Sequence, residues 1–94
     1  MLLMKIKDVM QREGGQVVLT GPLLLMGFSR RSEVEQAFGK KVLIATPRGD
    51  ENVVDVKGVS ISQSMSYDWQ VSVLIEQPIN LEMVALESSV STIN

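Results

Sequence analysis

Asn52 to Ser62 reads NVVDVKGVSIS, and it constrains the fold more than any other stretch. Val54 and Val56 alternate with Asp55 and Lys57, which is the period-two signature of a strand with one buried face. After Gly58 the phase slips by one residue. Val59 and Ile61 then carry the apolar face, with Ser60 and Ser62 opposite. An extra residue at a glycine inside a strand is the sequence sign of a β-bulge. A bulge bends a strand, so this segment predicts a curved sheet rather than a flat one.

Period two dominates elsewhere too. Met4, Ile6 and Val9 alternate with Lys5 and Lys7, giving a first strand. Arg12-Glu13-Gly14-Gly15 reads as a turn, because paired glycines supply positive φ. Gln16 to Thr20 is a second strand, and Gly21-Pro22 interrupts it, since proline cannot donate to a ladder. Leu23 to Met26 is a short apolar run suited to burial on both faces. Lys41 to Thr46 is a strand centred on Val42-Leu43-Ile44. Trp69, Val71, Val73 and Ile75 alternate with Gln70, Ser72, Leu74 and Glu76 in another, preceded by a turn over Ser64 to Asp68 and broken by Gln77-Pro78. Leu81, Met83 and Ala85 suggest a last strand, and residues 87–94 read as a loosely held tail.

One helix interrupts the strands. Ser32 and Glu35 have capping-box spacing. Val34, Ala37 and Phe38 fall on one face, and Gly39 sits where a C-terminal cap belongs. So short a helix has to be held by packing of Val34 and Phe38. The expected order is β-β-α-β-β-β-β. The fold class is all-β: a small six- to seven-stranded antiparallel β-barrel with one short helix between strands, residues 1–94 forming a single domain.

The residue inventory narrows the chemistry. The chain has no histidine and no cysteine. Ser-His and Cys-His nucleophiles and ordinary zinc or copper sites are therefore excluded. Absence of cysteine fits a reducing, cytoplasmic setting. No apolar run approaches the length of a membrane span, and Lys5 and Lys7 interrupt Met1-Leu2-Leu3-Met4 too early for a signal-peptide core. No phosphate-loop or dinucleotide fingerprint is present. The best catalytic candidates are Asp50, Glu51 and Asp55 with a divalent cation, but convergent catalytic groups are few. The expectation is no enzyme, no cofactor and no metal.

Charge is uneven along the chain. Residues 1–57 carry nine basic and seven acidic side chains, whereas residues 58–94 carry four acidic ones and no basic one. Arg30 and Arg31 precede the helix and Lys40 and Lys41 follow it. Its ends lie within about 10–15 Å of each other, so these cations form a candidate nucleic-acid or polyanion patch that Arg48 would extend. Thr46 to Asn52 reads TPRGDEN and contains Arg48-Gly49-Asp50, a tripeptide that adhesion receptors recognise. A hairpin accounts for each residue: Pro47 for φ, Gly49 for positive φ, Asp50 and Asn52 for turn hydrogen bonds. Aromatics for base stacking are scarce. Phe38 and Trp69 are expected in the core, while Phe28 and Tyr67 lie next to turns.

One stretch, Gln16-Val17-Val18-Leu19-Thr20-Gly21-Pro22-Leu23, resembles the opening strand of the β-barrel domain that follows the GTPase domain in translation elongation and initiation factors. Gly39-Lys40-Lys41-Val42-Leu43-Ile44 is similar to that family's second strand, Val56-Lys57-Gly58-Val59 to its third segment, and Val71-Ser72-Val73-Leu74-Ile75 to its late apolar strand. The resemblance spans roughly residues 15 to 76. The chain departs from the pattern by inserting Ser29 to Phe38 as a helix. The resemblance implies a barrel and, by analogy only, contact with RNA or a nucleotide factor. The residues themselves favour a non-catalytic module that docks a protein partner or forms a homodimer, with RNA binding through Arg30, Arg31, Lys40, Lys41 and Arg48 as the alternative.

Overall fold

Strands come first in this molecule because valine, isoleucine and leucine alternate with polar residues through most of it. The computed structural model describes residues 1–25, 27, 30–63, 68–76 and 87–93. Among these described residues seven strands form: β1 (Leu2–Lys5), β2 (Asp8–Gln11), β3 (Val17–Pro22), β4 (Lys41–Ala45), β5 (Glu51–Gln63), β6 (Trp69–Ile75) and β7 (Ser89–Ser91). Also among the described residues, one α-helix, α1 (Arg31–Phe38), lies between β3 and β4, and a short 3-10 turn at Glu13–Gly15 joins β2 to β3. All pairings are antiparallel, in the order β1-β7-β4-β5-β6-β3-β2.

The all-β expectation holds, with a refinement to the barrel. The edge strands β1 and β2 do not pair with each other, so the sheet is curled but not closed. It folds into two halves that share β5. The A half is β1-β7-β4 with the start of β5. The B half is the rest of β5 with β6-β3-β2.

Two corners fold one half over the other. The first is the bulge that the phase slip announced: the β5–β6 register shifts between Val56 and Gly58. The second is the chain between β1 and β2. The Ile6 N–H donates to the Ser88 carbonyl, on the A side, at 2.8 Å, and the Lys7 N–H donates to the Thr20 carbonyl, on the B side, also at 2.8 Å. The expected single first strand is therefore two strands, each serving one half.

Gly21 makes the second corner possible. It follows Val17 and Leu19 on the inward face, and the Lys5 carbonyl oxygen lies only 1.7 Å from where a Cβ would stand. Gly21-Pro22 thus does not interrupt β3, as its sequence suggested. The strand runs on through both residues, pairing Gly21 with Val71 and Pro22 with Gln70. The following Leu23 N–H donates to the Trp69 carbonyl at 3.0 Å. Successive N–H groups alternate sides, so the donorless Pro22 nitrogen points away from β6.

The core lies between the two halves. Leu3, Met4, Ile6, Val17, Leu19, Val42, Ile44, Val71, Val73, Ile75 and Val90 are all buried there. Each such side chain contributes about 1.5–3 kcal/mol of transfer free energy. Val34 and Phe38 of α1 join the same cluster, as their spacing predicted. The helix begins two residues earlier than its capping signal suggested. Its N-cap is Arg30, whose backbone N–H donates to a Glu33 carboxylate oxygen at 3.3 Å. A guanidinium has no acceptor, so Glu33 and not Ser32 supplies the side-chain cap. Gly39 closes the helix at φ 67°, its N–H donating to the Glu35 carbonyl at 3.0 Å.

Three further expectations change. Residues 87–93, expected as part of a loose tail, hold β7, a central strand between β1 and β4 with Val90 fully buried. Trp69, expected in the core, is exposed. The apolar run Leu23 to Met26 is not buried on both faces over its described residues, 23–25, and Met26 lies outside them. Leu23 makes one isolated bridge to Met4, and Leu24 is exposed. The expected strand at Leu81–Ala85, the break at Gln77-Pro78, residues 64–67 of the expected turn, and Phe28 and Tyr67 lie outside the described residues. No helix among the described residues is long and apolar enough to cross a membrane.

Candidate functional site

The basic residues fall into two groups. Arg30 and Arg31 start α1, Lys40 and Lys41 connect its end to β4, and all four are exposed. Eight helical residues separate the pairs by about 12 Å. Glu33 and Glu35 stand exposed on the same helix, and Lys41 Nζ lies 3.7 Å from an Asp55 carboxylate oxygen on β5. Arg48 sits at the far end of β4, about 17 Å away along five strand residues. It does not extend the cluster at the helix.

The hairpin between β4 and β5 is organised by a residue the sequence reading passed over. Thr46, nearly buried, donates its N–H to the Asp50 carbonyl at 2.8 Å and accepts from the Gly49 N–H at 2.9 Å. Its hydroxyl accepts from the Asp50 N–H at 3.1 Å. Gly49 takes φ 95°, which only glycine adopts readily. Of the turn chemistry expected of TPRGDEN the positive φ of Gly49 is present; Asp50 joins the turn through its backbone, Asn52 belongs to β5 opposite Ile44, and Thr46 locks the turn from beneath. The carboxylates diverge. Asp50 is in the turn, Glu51 lies opposite Ala45, and Asp55 lies opposite Lys41. Among the described residues no three metal-ligating side chains converge.

The two outer faces of the sheet differ. On the A half, strand registers align Leu2 of β1, Ser91 of β7, Leu43 of β4 and Val53 of β5 in one row. Leu2 is 43% exposed, Val53 49%, and Leu43 half-buried. Two residues beyond Ser91 stands Ile93, 48% exposed, and beside Leu2 stands Met1, 63% exposed. The Thr92 N–H donates to the Met1 carbonyl at 2.9 Å and the N-terminal ammonium to the Thr92 hydroxyl at 2.9 Å, so the two chain ends are tied together at this margin. The next row across the same face is Lys5, Ser89, Ala45 and Glu51. Lys5 and Glu51 occupy its opposite ends, and neither forms an ion pair among the described residues, although the Lys5 charge acts on Glu87.

On the B half the outer face is mixed. One row, Met10, Val18, Leu74 and Gly58, is apolar; the next is Asp8, Thr20, Ser72 and Ser60. Thr20 and Ser72 hydroxyls bond across the strands at 3.2 Å. Val18 and Leu74 cover each other, and of that row only Met10 is a large apolar side chain left exposed. A shallow open depression of about 300 Å³ lies here, lined by Arg12, Val18, Ser60, Ser72 and Leu74 around the gap at Gly58.

Beside the A face, Lys7 forms an ion pair with Glu87. The hydrogen bond and the charge of Lys7 hold the Glu87 carboxyl below its usual range. The A face went unread because periodicity shows which residues alternate, not which strands are neighbours. The available signal was continuity: Leu2-Leu3-Met4, Val42-Leu43-Ile44 and Val53-Val54 are apolar on both strand faces, and all meet on this half.

No family model, curated protein or solved structure matches this chain.

Proposed function

We propose that this chain is a non-catalytic interaction module that docks a protein through the outer face of its A half. One observation carries the reading: Leu2, Leu43, Val53 and Ile93 gather on one sheet face, and three of the four are more than two-fifths exposed. Scattered exposed apolar residues are ordinary on a protein surface, but a contiguous set rimmed by charge is a mark of association. Lys5, Glu51, Lys41 and Asp55 supply that rim. The inventory of side chains supports the absence of catalysis, and the lack of cysteine fits a cytoplasmic role.

The alternative, RNA or polyanion binding at Arg30, Arg31, Lys40 and Lys41, has exposure in its favour. Against it stand the neighbouring Glu33 and Glu35 and the engagement of Lys41 by Asp55. Phosphate binding would fall steeply with salt, whereas apolar docking would not.

A photo-crosslinking residue placed at Val53, and separately at Met10 on the B face, distinguishes the surfaces in cells. The reading expects protein adducts from position 53 and few from position 10. Equal adducts from both, or none from 53, would contradict it. RNA adducts from a probe at Arg31 would favour the alternative.

A further inference from the structure

The geometry points to a second copy of this chain as the occupant of the A face. We infer a two-fold dimer in which the two A faces stack with their strands aligned. The inference rests on the docking reading above and names its partner.

Stacked sheets keep their strand directions within about 30° of each other, and a two-fold interface places one patch against itself. The two-fold axis must lie in the plane of contact, because each face has to turn over to meet the other. Two placements are available. An axis along the strands, passing between β7 and β4, exchanges β1 with β5. Leu2 then lies over the second copy's Val53, and Ser91 over its Leu43. One row further, Lys5 lies over the second copy's Glu51, and by symmetry Glu51 lies over its Lys5. In the Leu2–Val53 row apolar groups thus meet apolar or small neighbours, and Ile93 lies over the second copy's Lys41; Lys5, whose charge also acts on Glu87, and Glu51, neither of which forms an ion pair among the described residues, face each other twice.

An axis across the strands gives a worse match. It keeps each strand over its own copy and reverses the row order. Asp55 then lies over the second copy's Glu51, and like charges in an interface are costly. The strand-aligned placement is therefore the one the charges select. It leaves the Lys41–Asp55 pair intact within each copy.

Size sets the expected strength. Four strands spaced about 4.8 Å apart and about 17 Å long present a face that buries on the order of 800 Å² in total. Standard stable interfaces bury about 1,200–2,000 Å², so this dimer dissociates readily. Its dissociation constant falls in the micromolar range or weaker, and a study from about 10 μM to about 1 mM spans it.

Sedimentation equilibrium over that range tests the inference on four proteins: wild type, Lys5→Glu, Glu51→Lys and the double variant carrying both. Each single change sets two like-charge pairs in the dimer and is expected to weaken it by about tenfold. The double variant restores both pairs with the charges exchanged and is expected to regain most of the wild-type affinity. Val53→Asp, which would set a carboxylate against the second copy's Leu2 on both sides of the axis, is expected to abolish dimerisation while thermal melting confirms a folded monomer.

Wild type that stays monomeric to 1 mM overturns the inference. So does a double variant no better than either single, because the facing of Lys5 and Glu51 is then absent. A monomeric chain that still crosslinks other proteins through position 53 leaves the docking reading standing and removes only the second copy as occupant.

Discussion

The two halves of the sheet share β5 and one core, yet their outer faces are built differently. In the B half, β6 alternates strictly: Val71, Val73 and Ile75 are buried, and Gln70 and Ser72 face outward with Leu74. Its outer hydroxyls bond one another, as Thr20 and Ser72 do. In the A half, β4 carries Val42 and Ile44 inward and Leu43 outward, and β5 carries Val54 inward and Val53 outward. Alternation is the pattern of a sheet with one wet face. Continuous apolar runs belong to a sheet that buries both faces, and among the described residues nothing covers the outer A face. That difference motivates both the docking reading and the dimer.

The comparison breaks most visibly at the glycines that shape the two corners. Gly21→Ala drives a methyl group into the Lys5 backbone carbonyl. Neither backbone can yield without opening the corner, so the expected cost is at least about 3 kcal/mol, read as loss of most of the folded population in urea titration. Gly58 looks similar in sequence but has only Leu74 Cβ near, at 3.9 Å, and needs no positive φ. Gly58→Ala is expected to change stability by less than about 0.5 kcal/mol in the same assay. Equal effects at the two positions would contradict the corner geometry.

Next comes the strand that completes the A half. Val90→Ala is expected to cost about 2 kcal/mol, since it leaves a cavity beneath β1 and β4. A loose tail would tolerate the change. Val53→Ser, on the outer face of the same half, is expected to leave monomer stability within about 0.5 kcal/mol while weakening association. Thermal melting at low and high concentration separates the two effects.

The smallest effect is electrostatic. Lys7 holds the folded-state pKa of Glu87 below its unfolded value. The pair's contribution is therefore fully present above the ordinary carboxylate pKa, and it is lost as pH falls through the lowered folded value. Both side chains are about half exposed, so the effect is small. Carboxyl titration by NMR should show Glu87 returning to the normal range in Lys7→Met.

Much of the fold was legible because it is local. The bulge at Gly58 appeared as a phase slip, the core of β6 as strict alternation, and the helix face as Val34 and Phe38 at i, i+4 spacing. What was hidden depends on chain crossings. β7 is a single buried valine between serines, with no periodicity to see, and it is a strand only because β1 and β4 flank it. Gly21 resembled a strand breaker, because no local pattern shows another backbone lying against it. Trp69 resembled a core residue by type and position, but it is the first residue of β6 and is exposed. The candidate face was hidden for the same reason: its residues come from four strands whose order is not written in any one of them. The basic residues were easy to see in sequence, yet β4 sets Arg48 apart from the rest.

The most direct test of association through the A face is a series of amide chemical-shift spectra from about 20 μM to about 1 mM protein. Concentration-dependent shifts at Leu2, Leu43, Val53, Ser91 and Ile93, with Val18, Thr20, Ser72 and Leu74 unmoved, are the result this account predicts. Shifts confined to the B face, or spectra that do not change with concentration, would contradict it.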